Sequence, residues 1–406
     1  MSLLTKASLV ITPNAYKASK LYSVIPNTTL GDMDVTRATT ATRVNAQGLI
    51  EIVGLNIPRI DYTNGSCPAI LIEPQRTNLL TYSNDFSNAS WLKDGITVIP
   101  NSVISPDGTT NASKIQETTG TVTYGIYKQN AITAGSYSSN TFYAKSAGRD
   151  WIAFNALDGS NNLCWFNLSN GTLGTVPIGL TASIVPSING FYKITVTKVS
   201  FGAAQYFSII PTTGNNISTY TGDGTSGFYL YGCQREVGTY ATSYIPTIST
   251  TVTRNDDVIS KSGISTLIGQ TEGTIYWDGT PRYGDSGYYN IFNILRNYDY
   301  SKSIFLGIQS NGLIQIVSQT VPSENSSVAI PLNQKIKIAL RYKDNDWALY
   351  LNGVQVWSKS ALVPSGTFDI LEEQYGGPYL STNKASEHIL YKTALTDEEC
   401  IVLTTI

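Results

Sequence analysis

The sequence predicts an all-β protein: a β-rich N-terminal region, then two antiparallel sandwiches in series, then one short C-terminal helix. Three observations carry this. Helical periodicity is almost absent, and short runs rich in Val, Ile, Thr, Tyr and Phe alternate with Gly, Asn, Ser and Asp turns. Charged residues are only 14% of the 406, against about a quarter in ordinary domains, so the surface must be built from Thr, Ser, Asn, Gly and Tyr. The 26 tyrosines put a hydroxyl on much of the aromatic content, which suits wet faces. A chain of this length holds roughly two or three domains.

The first region, residues 1–77, contains "VTRATTATRVNAQGLIEIV", with Arg37 and Arg43 among threonines. It ends in "PRIDYTNGSCPAILIEPQR", where an Asn-Gly turn precedes a run, Ala69–Ile72, too apolar on both faces to stand uncovered. Glu73 and Arg76 flank Pro74 there and are expected to form a local ion pair that fixes this joint. Residues 78–250 are strand after strand, among them "DWIAFNAL", "NLCWFNLSNG" and "GFYLYGCQREV". Residues 251–258 are expected to be a linker lying along a surface. In residues 259–406 the best evidence is "KIKIALRYKDNDWALYLNGVQVWS". Ile336, Ile338, Leu340 and Tyr342 point one way, while Lys335, Lys337, Arg341 and Lys343 point the other. Asp344-Asn345-Asp346 is read as a turn, and Asn352-Gly353 supplies the positive φ values of a tight hairpin. Thr396 caps the final helix, with Glu399 at the capping-box position.

Composition excludes several chemistries. With a net charge of −2 and no basic run, binding of nucleic acid through its phosphates is not expected. The apolar patch Ala7–Ile11 is too short for a signal peptide or a membrane span, so synthesis in a cytoplasm without membrane insertion is expected. Cys67, Cys164, Cys233 and Cys400 are far apart and read as free thiols buried in strands. The single histidine, His388, lies in a strand-like run with no Gly-x-Ser-x-Gly elbow, and reads as a satisfied strand histidine. Two carboxylates suffice for glycoside hydrolysis, but Glu372-Glu373 and Glu398-Glu399 are adjacent pairs that suit a strand and a helix cap. A binder is expected rather than an enzyme.

Sugar recognition asks for aromatic faces against the C–H face of a ring, with amides, hydroxyls and carboxylates for its hydroxyls. The richest stretch is "PRYGDSGYYNIFNILRNYDY", which places Tyr283, Tyr288, Tyr289, Tyr298 and Tyr300 among Arg282, Asp285, Asn290 and Arg296 on loops and turns. Tyr375 and Tyr379 in "EEQYGGPYLS" are the second candidates. Trp151 and Trp165 alternate with apolar neighbours and read as core, whereas Trp91 fits either role.

The run "KIALRYKDNDWALYLNGVQVWS" with "SEHILYKTALTDEEC" resembles the end of a laminin-G/concanavalin A-like jelly roll. Thr36–Glu51, Pro58–Ser83 and Tyr220–Thr247 are similar to a module of tailed-bacteriophage fibre and spike proteins. The run "NLLTYSNDFSNASW" resembles the start of carbohydrate-binding jelly rolls. These resemblances imply two jelly rolls behind an N-terminal virion-attachment or oligomerisation region, on the surface of a virion, at its head or tail. They imply a homotrimer that contacts other virion proteins and adheres to host surface glycans. A capsid decoration or collar protein and a polysaccharide depolymerase are the alternatives. The carbohydrate-binding class often holds a structural calcium, here on Asp85, Gln234 and Glu236, but the paired acids of its final strand are missing, so no cofactor is expected.

Overall fold

The computed structural model describes residues 2–63, 65, 67–130, 132–157, 163–200, 205–281, 288–309, 311–331, 333–373 and 383–406; the side chains at 156, 157, 288–294 and 383 lie outside it. It is all-β, with antiparallel sheets and, among the described residues, one α-helix, Asp397–Thr404. The chain divides into two compact units: residues 1–46, 53–75 and 255–406 form one, residues 47–52 and 76–254 the other.

In the first unit a long antiparallel ladder runs from Glu324–Ala329 through Ala7–Lys17 and Asn383–Tyr391 to Val354–Lys359. Its two ends meet: Ser327 Oγ donates to the Val356 carbonyl at 2.8 Å, and Lys359 pairs with Glu324. The ladder therefore folds over one core, in which Ile304, Leu306 and Ile316 share an interior with Trp277, Ile338, Leu340 and Trp347. The alternation read in 335–343 is realised: Ile336, Ile338, Leu340 and Tyr342 are buried in that core. Asn352 and Gly353 take φ of 49° and 83° at the hairpin turn. At the helix, Thr396 Oγ1 accepts from Glu399 N, and Glu399 Oε2 accepts from Thr396 N. Cys400 packs beneath it on Tyr276, Ala339 and Tyr350, so this thiol is buried in a helix, not a strand.

Several expectations are corrected here. Residues 1–77 are not a separate region. The strand Ala7–Lys17 pairs with Asn383–Tyr391, Ile11 opposite His388, and Leu9, Ile11, Leu21, Met33 and Val35 are buried in the same core as Trp277. Ala69–Ile72 likewise pairs with Asn383–Tyr391, which supplies the cover its apolar faces demand. Residues 251–258 are not a linker lying along a surface either. Val252–Arg254 pairs with Arg76–Asn78, and Arg254 and Asp257 are buried charges. Glu73 accepts from Arg59 at 2.6 Å, while in the other unit the Arg76 guanidinium stands 5.1 Å over the Tyr240 ring. Cys67 is exposed, outside any strand.

The second unit is a sandwich of two six-stranded antiparallel sheets. One is ordered Ile96–Ile104, Thr110–Glu117, Gly227–Val237, Tyr137–Ala147, Tyr192–Val199, Leu180–Pro186. The other is ordered Thr172–Leu173, Leu163–Asn167, Trp151–Leu157, Tyr206–Thr212, Gly125–Gln129, Leu92–Asp94. Between them lie Phe142, Ile152, Phe154, Phe166, Ile194, Phe207 and Leu230, with Cys164 and Cys233 as buried strand thiols. Trp91 is core as well, edge-on to Phe86 and Phe207.

Lys128 is among the cations enclosed in this unit. Lys128 Nζ donates to Thr81 O and Oγ1 at 2.7 Å and to Ser90 Oγ at 2.8 Å, 5.4 Å over the rings of both Tyr82 and Trp91. Burial pulls its ammonium down from 10.5 to about 8. Between those values the unfolded chain binds more protons, so this group's contribution is full above 10.5 and is lost as pH falls through about 8. Lys128→Met should therefore cost more stability at pH 10 than at pH 7, read from paired urea titrations; an equal cost at both would refute the depressed ammonium.

Candidate functional site

The most complete constellation lies on the second unit, where period-2 alternation splits the strand Trp151–Leu157 between two faces. Ile152 and Phe154 enter the core, which turns Trp151 and Ala153 to the outer face of their sheet. Trp151 is opposite Asn167 on one neighbouring strand and Thr212 on the other, so these three side chains form one row. Gly174 backs the row: a Cβ there would meet Trp151 and Trp165 at 2.8 Å.

The chain reaches this strand through Gly148, Arg149 and Asp150. Gly148 has φ of 101°, and a Cβ there would strike Ser226 at about 2.7–3.1 Å, so only glycine fits. Arg149 is clamped by the buried Glu117: Nε donates to Oε2 at 2.8 Å, and Nη2 donates to Oε1. Nη2 also reaches Asp223 Oδ2 at 3.3 Å, and the guanidinium lies 5.2 Å over the Tyr220 ring. Tyr220 donates its hydroxyl to Glu117 Oε2 at 2.7 Å, and the Asp223 N–H donates to Oε1 at 2.8 Å. Hydrogen bonding to Glu117 pushes the guanidinium further above its ordinary value. Bonds from Ser226 and Thr225 hold the exposed Asp223 carboxyl well below the usual range. Burial, with Glu117 beside it, pushes the Tyr220 phenol up.

Together these segments enclose an open pocket of about 310 Å³ lined by Gly148, Arg149, Asp150, Trp151, Asn167, Ser169, Thr212 and Thr213. Asp150 Oδ1 accepts from Ser146 Oγ at 2.7 Å, and Asn167 Oδ1 accepts from Ser169 N and Oγ, so the carboxylate and the amide are both oriented. An indole beside a fixed guanidinium, an amide and several hydroxyls can cover an apolar face and bond ring hydroxyls. Sequence reasoning placed Trp151 in the core. Alternation fixes which residues share a face, not which face is covered.

The candidates read from the sequence fall elsewhere. Arg282, Tyr283, Asp285, Tyr375 and Tyr379 lie outside the described residues. Tyr288, Tyr289 and Asn290 belong to the strand Tyr288–Arg296 rather than a loop, and their side chains lie outside the described residues. Arg296 forms a two-point pair with Glu372 at 3.0 and 2.5 Å and stands 4.2 Å over the Tyr300 ring, which stacks on Phe305. These contacts fix the local fold. Tyr298, 90% exposed, keeps its ring in solvent.

The calcium candidates are engaged with protein groups. Gln234 Oε1 accepts from Ile245 N at 2.6 Å, Glu236 Oε2 accepts from Thr242 N at 2.9 Å, and Asp85 accepts from Ser87 Oγ at 2.6 Å. Among the described residues no group of three His, Cys, Asp or Glu side chains is arranged to hold a metal. His388 is buried, its Nδ1 hydrogen-bonded to Glu373.

No protein-family model matches the chain, and no curated protein matches it in sequence. Among solved structures it is similar to Ruminococcus gnavus IT-sialidase CBM40 bound to alpha2,3 sialyllactose, at 14% identity over 36% of this chain and 91% of that one, with a TM-score of 0.30. It is also similar to domain 4 of AbnA, a GH43 extracellular arabinanase from Geobacillus stearothermophilus in complex with arabinotriose, at 15% identity, 41% and 82% coverage and a TM-score of 0.30. Trypanosoma rangeli sialidase in complex with sialic acid is similar at 10% identity, 92% and 76% coverage and a TM-score of 0.29. At these values the likenesses carry no statement about activity.

Proposed function

We propose that this chain is a non-catalytic fibre or spike protein of a virion surface that adheres to host cell-surface glycans, with the sugar seated in the Trp151–Arg149 pocket. The observation that carries the sugar-binding part is the pocket itself, where an indole and a clamped guanidinium stand among amide and hydroxyl groups. The virion part rests on the resemblance of Thr36–Glu51, Pro58–Ser83 and Tyr220–Thr247 to the phage fibre module. An open, polar pocket of this size gives weak binding per site. Several copies displayed together, as in a homotrimer attached to other virion proteins, would raise the avidity.

Trp151→Ala tests the site. On a glycan array with the full chain, the variant should lose about tenfold or more in binding, the cost of removing an aromatic anchor. Its melting curve should show that the fold is retained. Wild-type-like retention by a folded Trp151→Ala chain would remove the pocket from the reading.

A further inference from the structure

We infer that the Trp151 pocket selects uncharged sugars and rejects carboxylated ones. This rests on the glycan reading of the pocket and adds the ligand's charge class to it. An arginine in a sugar pocket ordinarily suggests an acidic ligand, because a guanidinium matches a carboxylate with two parallel bonds. Here that match is already made within the protein. Nε and Nη2 of Arg149 face Glu117, and Nη2 also faces Asp223. The ring of Tyr220 lies against the guanidinium plane, so the fork cannot turn toward a ligand without breaking the clamp.

What remains for a ligand is Nη1, which makes no hydrogen bond among the described residues and belongs to a residue lining the pocket. It offers N–H groups suited to the lone pairs of sugar hydroxyls, held in place at no further entropy cost.

The surrounding charge points the same way. Glu117, Asp223 and Asp150 set three carboxylates against one guanidinium, and Asp150 lines the pocket directly. Of the nearby cations, Lys114 Nζ donates to the Thr225 carbonyl at 2.7 Å and Lys145 Nζ to the Asn189 carbonyl at 2.9 Å, and neither lines the pocket. Asp223 is exposed and hydrogen-bonded by Ser226 and Thr225, so it stays ionised. A carboxylate brought beside Asp150 would meet like charge without a free fork to compensate it, whereas a neutral ring meets only donors, acceptors and the indole.

The test uses the full chain on an array of neutral hexose and N-acetylhexosamine oligosaccharides, with matched oligosaccharides ending in a sialic or a uronic acid. Neutral ligands should be retained. At low salt their acidic counterparts should bind at least about tenfold more weakly, and the gap should narrow as salt rises. Asp150→Asn and Asp223→Asn should each narrow the gap by raising the ratio of acidic to neutral binding. Asp223→Asn lies at an exposed turn, so it remains informative if the pocket variant fails to fold. Acidic ligands held as well as neutral ones, with both signals lost in Trp151→Ala, would overturn the charge selection and leave the pocket as the glycan site. Retention of no glycan by the wild-type chain would overturn both readings.

Discussion

Arg59→Ala should destabilise the unit formed by residues 1–46, 53–75 and 255–406 by about 3–5 kcal/mol, the cost of leaving a buried ionic partner uncompensated. Arg59 sits in a chain of buried charges. Its Nη1 donates to Glu73 Oε2 at 2.6 Å and to the Thr42 carbonyl at 3.2 Å, its Nε donates to Asp257 Oδ1 at 3.3 Å, and its Nη2 pairs with Asp257 Oδ2. Asp257 also takes Arg37 Nη1 at 2.8 Å and the Glu73 N–H at 2.9 Å. Burial alone would lower the Arg59 guanidinium, but Asp257 and Glu73 more than offset it and raise it above its ordinary value.

Removing the arginine takes this guanidinium from Glu73 and leaves Arg37 on Asp257, and in a dry interior desolvation makes that costly. The double variant Arg59→Met/Glu73→Leu, which deletes a charge of each sign, should be more stable than Arg59→Met alone. Urea unfolding of the full chain reads both comparisons. A loss within about 1 kcal/mol for Arg59→Ala, the range of an exposed pair, would mean that water reaches this network.

Much of the architecture was legible because it is local. Ile336, Ile338, Leu340 and Tyr342 announce a half-buried strand through a two-residue period, Asn352-Gly353 announces its hairpin, and Thr396 with Glu399 announces the final helix. The merging of residues 1–46 and 53–75 with the C-terminal part was not legible, since Ile11 and His388 pair across most of the chain. Arg59 and Asp257 stand 198 residues apart, and nothing in either neighbourhood names the other. The binding site failed to show for a related reason. Tyr-rich composition marks aromatic supply, whereas the pocket depends on Arg149 meeting Glu117 and Asp223, 32 and 74 residues away. The usable trace was "AGRDW", a glycine turn delivering Arg149 and Asp150 to a strand that opens on tryptophan. It carries meaning only once Trp151 is known to be half-buried at the edge of its outer-face cluster and to line the pocket.

Trp91→Ala should act with similar force on the other unit, at about 3–5 kcal/mol for deleting a large buried aromatic. Trp91 packs edge-on to Phe86 at 5.3 Å and Phe207 at 6.1 Å, its Nε1 donates to the Tyr82 carbonyl at 2.9 Å, and its ring lies under the Lys128 ammonium. The substitution opens a cavity between the sheets, removes a hydrogen bond to the Tyr82 carbonyl and strips the buried cation of one aromatic wall. It does not touch the Trp151 pocket, yet glycan retention should vanish at the temperature where this unit melts. Because the two units have separate cores, calorimetry should show Trp91→Ala and Arg59→Ala displacing different transitions. If both substitutions displaced one shared transition by the same amount, the units would unfold as a single cooperative body, and their division could not be used to assign glycan binding to one of them.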